Sequence, residues 1–184
     1  MTEVLNFFLN IICGVIASLI AIYIIFWILK PKIIISPFIV KIKNDNSYDY
    51  VFKFINKTKY PVNDIKVEMW EKTESKATSN SRGLNESHRK VKVSTAEWQT
   101  IPKKCSNKEI ERTHFAPHAV KVRILDENIE NILNPENNQS LEVKVSVKHG
   151  LSNISKTFSM QFNDLSCLKE GRFVFGNSLA TEII

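Results

Sequence analysis

The chain has 184 residues, room for one domain of ordinary size and an anchor. With 24% charged residues and five glycines it is neither a low-complexity nor a wholly disordered sequence. All 25 Lys and Arg follow residue 29, as do all of the 19 acidic residues except Glu3. The basic excess of the later part suits anionic partners, such as an acidic leaflet or nucleic acid.

Val4 to Leu29 carries no charged side chain. As a helix it would be about 39 Å long, more than the ~30 Å of a hydrocarbon core. No basic segment precedes it and no small-residue cleavage site ends it, so residues 1–30 are predicted to be an uncleaved transmembrane helix. Tyr23 and Trp27 suit its downstream interface. Lys30, Lys32, Lys41 and Lys43 follow closely. The positive-inside bias then predicts a single-pass protein of the inner (plasma) membrane, with its N-terminus outside and the rest cytoplasmic.

Asn6, Asn10, Gly14 and Ser18 recur at i+4, with Cys13, Ala17 and Ala21 beside them, a continuous small and polar stripe. One reading is self-association, small residues letting helices approach and amides bonding across the contact. The other is that the Asn residues lie near headgroups and that Gly and Ala are simply common in membrane helices.

Residues 31–184 read as one soluble domain. Pro31 ends the helix with almost no linker. Residues 33–43 predict a strand interrupted at Ser36-Pro37, suited to an edge or to a strand switching between sheets. Asn44 to Ser47 is a turn. Residues 48–55 alternate, with Tyr48, Tyr50, Phe52 and Phe54 on one face. Residues 62–72 alternate again through Ile65, Val67 and Met69. A long polar loop is predicted over 73–90, then a strand over 91–101 and a basic, irregular connection over 103–112. Residues 118–125 predict a strand, and 126–133 a short helix capped by Asp126 with Ile129, Ile132 and Leu133 inward. Leu141 to Lys148 and Ile154 to Phe162 form a hairpin, and a last short strand covers 172–175. Such segments predict an all-β fold, an antiparallel β-sandwich of immunoglobulin-like type or a small barrel, after one transmembrane helix. The Cys…Trp…Cys spacing of antibody domains is missing.

The blocks KPKIIISPFI (30–39), FKFINKTKYPVNDIKVEMW (52–70) and EGRFVFGNSL (170–179) resemble a group of bacterial membrane proteins with one N-terminal span and an all-β cytosolic domain. That resemblance implies the architecture but no activity, and no functional residue is carried over.

Chemical motifs are scarce. His114 and His118 have a helical metal-ligand spacing, but Pro117 forbids a regular helix there. Cys105 among Lys103, Lys104 and Lys108 has either a lowered thiol pKa or none of note. Cys105 and Cys167 form no disulfide framework, and a cytoplasmic domain keeps them reduced. No nucleophile, phosphate-loop or zinc pattern is present, so neither catalysis nor a cofactor is expected. Two basic clusters, Arg89, Lys90 and Lys92, then Lys103, Lys104 and Lys108, are either anion or lipid contacts or ordinary solvated loops, with acidic residues between them. Trp70 and Trp98 are contact residues or core.

Two functions fit. One is a membrane-anchored, cytosol-facing, non-catalytic module with the bilayer and a protein as partners, and homo-oligomers formed through the helix. The alternative is a membrane-disrupting effector of bacterial anti-phage defence whose β domain senses a nucleotide, a ligand that no motif supports. One span cannot line a pore, so such an effector must oligomerise. Reversed topology would instead make a cell-surface module.

Overall fold

The computed structural model describes residues 2–44, 47–75, 85–126 and 128–183. Helix α1 (Thr2–Ile28) covers the apolar run, and its stretch Asn6–Ile28 is long and apolar enough to cross a membrane. None of that stretch is buried against the protein. Its Ile, Leu and Phe side chains are exposed all round, an arrangement suited to an apolar surrounding. Pro31, without an N–H, cannot extend the helix.

The strands follow at once. β1 (Ile33–Ile35) and β2 (Ile39–Lys43) run antiparallel to β3 (Tyr48–Asn56) along one edge. Between Ile35, opposite Phe54, and Val40, opposite Val51, that edge uses four residues where β3 uses two. Ser36 and Pro37 explain the bulge. Pro37 lacks a ladder donor, and the Ser36 hydroxyl accepts from Phe38 N and donates to Phe38 O.

Next come β4 (Val62–Ser75), β5 (Asn85–Val91), β6 (Glu97–Ile101), α2 (Asn107–Thr113), β7 (Ala119–Ile124) and α3 (Ile129–Ile132). β8 (Gln139–His149), β9 (Ser155–Phe162), β10 (Leu168–Glu170), β11 (Arg172–Phe173) and β12 (Thr181–Glu182) complete the chain. One sheet has β3 at its centre, β7 on one side, and β1 with β2 on the other. The second has the order β9, β8, β4, and β4 then pairs with β6 along its first half and β5 along its second.

Both sheets bury their facing sides in one core, where Phe52, Phe54 and Val122 join Val67, Met69, Val143 and Val145. The orders β2-β3-β7 and β9-β8-β4-β5 match the A-B-E and G-F-C-C′ sheets of an immunoglobulin-type sandwich. The sandwich is half closed along one edge. There Val93 bridges Ile124, Ser94 N donates to Arg123 O, and Leu125 N donates to Lys92 O.

Several expectations change. The polar stretch 73–90 is not a loop throughout: β4 extends to Ser75 and pairs with β5 from Asn85. Thr73 and Glu74 and residues 86–90 are exposed or half-exposed, so backbone pairing and surface ion pairs hold this arm where no apolar face announces it. Of that predicted loop, residues 76–84 lie outside the described residues, as do 45 and 46 of the first turn. The strand expected over 91–101 is β5 ending at Val91, a break, and β6.

The connection 103–112 contains α2, whose N-cap Ser106 accepts from Glu109 N and whose buried residue is Ile110. A capping signature was therefore present, but one apolar residue left no periodicity to see. The domain is not wholly antiparallel, because β10 runs parallel to β2. The last strand is shorter than predicted and forms a separate ribbon, β11 with β12. Asp126 accepts from Asn128 N one turn ahead of α3 and is not its N-cap.

Phe54 is fully buried at the centre of β3 and meets the Trp98 ring edge-on at 5.9 Å. Phe54→Ala is expected to cost about 3–5 kcal/mol of stability, read as a lowered midpoint in denaturant titration.

Candidate functional site

On α1 the residues Asn6, Asn10, Gly14, Ala17, Ser18 and Ala21 are all exposed. The Ser18 hydroxyl donates to Gly14 O at 2.9 Å, the way a membrane helix satisfies a hydroxyl without a partner helix. A Cβ built on Gly14 meets nothing within 4 Å, so the stripe is open to a neighbour.

The two basic clusters are not brought together. Arg89 stands opposite Glu71 of β4, and Ile101, just before Lys103, stands opposite Val62. Nine residues of strand separate those positions, about 30 Å. Arg89 is paired with Glu71 at 2.5 Å and Asp126 at 2.9 Å, and Lys90 lies 3.9 Å from Glu68 and over the Trp70 ring. Carboxylates thus neutralise much of the first cluster, while Lys92 is exposed. In the second, Lys103 and Lys104 are exposed on the connector, and Lys108 is exposed on α2 beside Glu109 and Glu111. Trp98 is half-buried against the core and Trp70 lies on the outer face.

The most constrained polar site was not visible in the sequence. Lys53, on the outward face of β3, is 1% exposed because residues 171–182 fold over it as a strap. Its ammonium donates to the carbonyls of Val174, Gly176 and Ser178 at 2.7, 2.9 and 2.7 Å. Three N–H donors meet three acceptors, with no carboxylate involved. Burial, then the nearby Lys121 and Lys57, push its pKa down to about 8. It remains mostly cationic at neutral pH. Phe173 covers Val40 and Val51 on the same outer face, so this sheet is buried on both sides. Gly176 has φ +80°, a conformation that favours glycine and turns the strap toward α2.

Beside Lys53, the fully buried His118 bonds Asn177 Oδ1 through Nε2 at 2.7 Å. Asn177 Nδ2 donates to Cys105 O and Asn107 Oδ1, so its oxygen faces the imidazole and Nε2 carries the proton. His118 Nδ1 has no partner among the described residues. Burial lowers the His118 pKa, the Asn177 contact opposes this, and Lys57, Lys104 and Lys53 add to the lowering. An open cleft of about 510 Å3 lies alongside, lined by Ile110, His114, Phe175, Gly176, Asn177 and Ser178 among others. His114 and His118 do not form a metal site: His114 caps α2 in the left-handed conformation, while His118 is committed to Asn177. Among the described residues no group of three or more His, Cys, Asp and Glu could hold a metal ion.

Cys105 is half-buried, and burial raises its pKa, followed by Glu109, against the opposing Lys103. The activated-thiol reading therefore fails. Cys13, Cys105 and Cys167 are all free thiols. A second polar cluster anchors α3 to the first sheet. Tyr50 Oη donates to Glu130 at 3.0 Å, and Lys41 pairs with the same carboxylate at 2.5 Å. Burial, then Glu130, push Tyr50 up to about 12, so this phenol stays a donor.

Chemically the arrangement offers protonated donors and neutral imidazoles already committed to the fold, beside an open, partly apolar cleft. No family model matches the chain, and no curated protein matches it.

Two expectations follow. Lys53→Met keeps the apolar stem but leaves three carbonyls without a donor. It should lower stability by about 1–3 kcal/mol and speed amide hydrogen exchange over 172–182 before the core strands. The second concerns pH. His118 and His149 both have pKa values held below the usual 6.5, each chiefly by burial. The folded state then binds fewer protons than the unfolded one, so their contribution is complete above about pH 6.5 and is lost as pH falls below it. Glu68 and Glu130, lowered chiefly by hydrogen bonds from Lys66 and Lys41, lose theirs only below about 4.5. Between these limits the melting temperature should fall on acidification, and the slope should shrink in a His118→Gln/His149→Gln variant.

Proposed function

We propose that the chain is a membrane-anchored, non-catalytic interaction module, with α1 spanning the inner (plasma) membrane and the sandwich held at its cytoplasmic surface. The observation that carries this reading is the junction. Pro31 is buried in the domain three residues after α1 ends, and Ile33 already pairs with Asn56, so no hinge separates span from sandwich. Lys30 and Lys32 immediately after the span favour the cytoplasmic side.

A binding role is favoured over catalysis by the commitments of the reactive side chains. His118 serves Asn177, His149 serves the turn after β8, and Lys53 serves the strap. The contact surface offered to a protein partner is the cleft beside α2, where Phe175 is 55% exposed. Self-association through Asn6, Asn10, Gly14, Ala17, Ser18 and Ala21 belongs to the same reading, because the stripe is unobstructed along α1.

In intact cells, an impermeant thiol reagent should leave Cys105 unmodified until the membrane is opened; modification before opening would reverse the topology. In membranes, Asn10→Leu/Gly14→Leu should weaken crosslinking to oligomers relative to the natural chain. Equal crosslinking would remove the stripe from the proposal.

A further inference from the structure

We propose that the end of the sandwich next to α1 is a docking surface for the anionic lipid headgroups of the leaflet in which the span ends. The inference rests on α1 being a span and adds what the domain does once held there. Four stretches meet at this end: 29–32, 56–61, 102–105 and 149–153. Asn56, fully buried, joins two of them, its Nδ2 donating to Tyr60 O and Pro102 O while its Oδ1 accepts from Thr58 N. Thr58 Oγ1 accepts from Lys32 N, Lys57 N donates to Lys32 O, and Lys104 N donates to Thr58 O. On the remaining side Gly150 N donates to Pro61 O at 3.0 Å, an approach so close that a Cβ on Gly150 would lie 2.8 Å from that oxygen. The Ser152 hydroxyl reaches Leu29 O, in the residue that follows α1, at 3.5 Å. These bonds place all four stretches around the point where the chain leaves the membrane.

The composition of that surface is one-sided. The four stretches contain six lysines, Lys30, Lys32, Lys57, Lys59, Lys103 and Lys104, and no Asp or Glu. All but the half-buried Lys57 are exposed. Lys104 is close enough to Lys57 to disfavour the charge on Lys57, whose pKa is lowered by burial first and then by Lys104. Asp64, three residues past Pro61, is already paired with Lys148 at 2.8 Å. Among the described residues none of these six lysines forms an ion pair, and an acidic leaflet within a Debye length, about 8 Å at physiological salt, supplies a counter-charge.

Apolar and amphipathic groups share the surface. Leu151 is 65% exposed at the tip of the turn after β8. His149 Nδ1 holds that tip by accepting from Leu151 N and Ser152 N, both at 3.3 Å. Tyr60 packs edge-on against the same imidazole and keeps 38% exposure. Lysines around a leucine and a tyrosine are the chemistry of the headgroup layer. A nucleic acid would also attract the lysines. The Leu151 tip beside α1 and the direct continuity with the span favour the bilayer.

The test uses the full chain in nanodiscs of phosphatidylcholine alone or with one-third phosphatidylglycerol. Amide hydrogen exchange over 57–61, 102–105 and 149–153 should slow several-fold only in the anionic discs and recover in half-molar salt. Lys59→Gln/Lys103→Gln/Lys104→Gln should abolish that slowing with its melting temperature unchanged, whereas Lys121→Gln, on the exposed side of β7, should not. Equal exchange in both discs overturns the proposal. So does slowing produced in neutral discs by added single-stranded RNA in place of anionic lipid. Release of the chain from cell membranes by alkaline carbonate would instead overturn the span itself, so the two failures are distinguishable.

Discussion

The lack of slack between α1 and β1 constrains everything else. Pro31 ends the helix and is buried, and Ile33 is already the first rung of the first sheet. The edge strand of an immunoglobulin-type sandwich is therefore also the continuation of the helix. One end of the sandwich is set beside that junction, and the arm formed by the second half of β4 with β5 extends away from it. In a sandwich the loops cluster at the two ends, so this geometry separates a junction end from a distal end.

Buried polar residues enforce that geometry where apolar packing cannot. Asn56 organises two loops at the junction through its amide, His149 braces the adjacent turn, and Lys53 holds the strap by three carbonyls. Each is fully or almost fully buried, and each meets backbone groups that would otherwise lose their hydration. Directional bonds of this kind specify one loop arrangement, whereas the Val and Ile core tolerates many. These residue types resemble catalytic ones, yet the bonds they make here serve the architecture, which supports the proposed binding role.

The distribution of charge follows the same division. On the arm, cations face carboxylates: Arg89 with Glu71 and Asp126, Lys90 near Glu68. Exposed pairs of that kind contribute little stability and leave little net field. At the junction, lysines from three separated stretches meet, and those stretches contain no carboxylate. A cluster scattered through the sequence is concentrated by the fold, and a cluster contiguous in the sequence is neutralised by it.

Much of the fold was legible in the residues. The charge-free run, the alternation in β4 and β8, the Ser36-Pro37 interruption and the inward faces of α3 are local patterns with a local cause. What failed did so where local pattern is weak: the polar β4–β5 arm, which has no apolar face to announce it, and α2, with its single buried Ile110. The candidate site was less legible still. Lys53 alternates with Phe52 and Phe54 as a solvent-facing lysine should, and only a strap more than 100 residues later in the chain covers it. The grouping of Lys59 with Lys103 and Lys104 depends on Asn56 bridging two loops. The sequence by itself determined the long apolar helix and the strand periods, because each depends on a few neighbouring side chains. Tertiary structure alone decided which lysines are buried, paired or gathered beside the end of α1, because burial and electrostatic potential depend on what distant segments bring alongside.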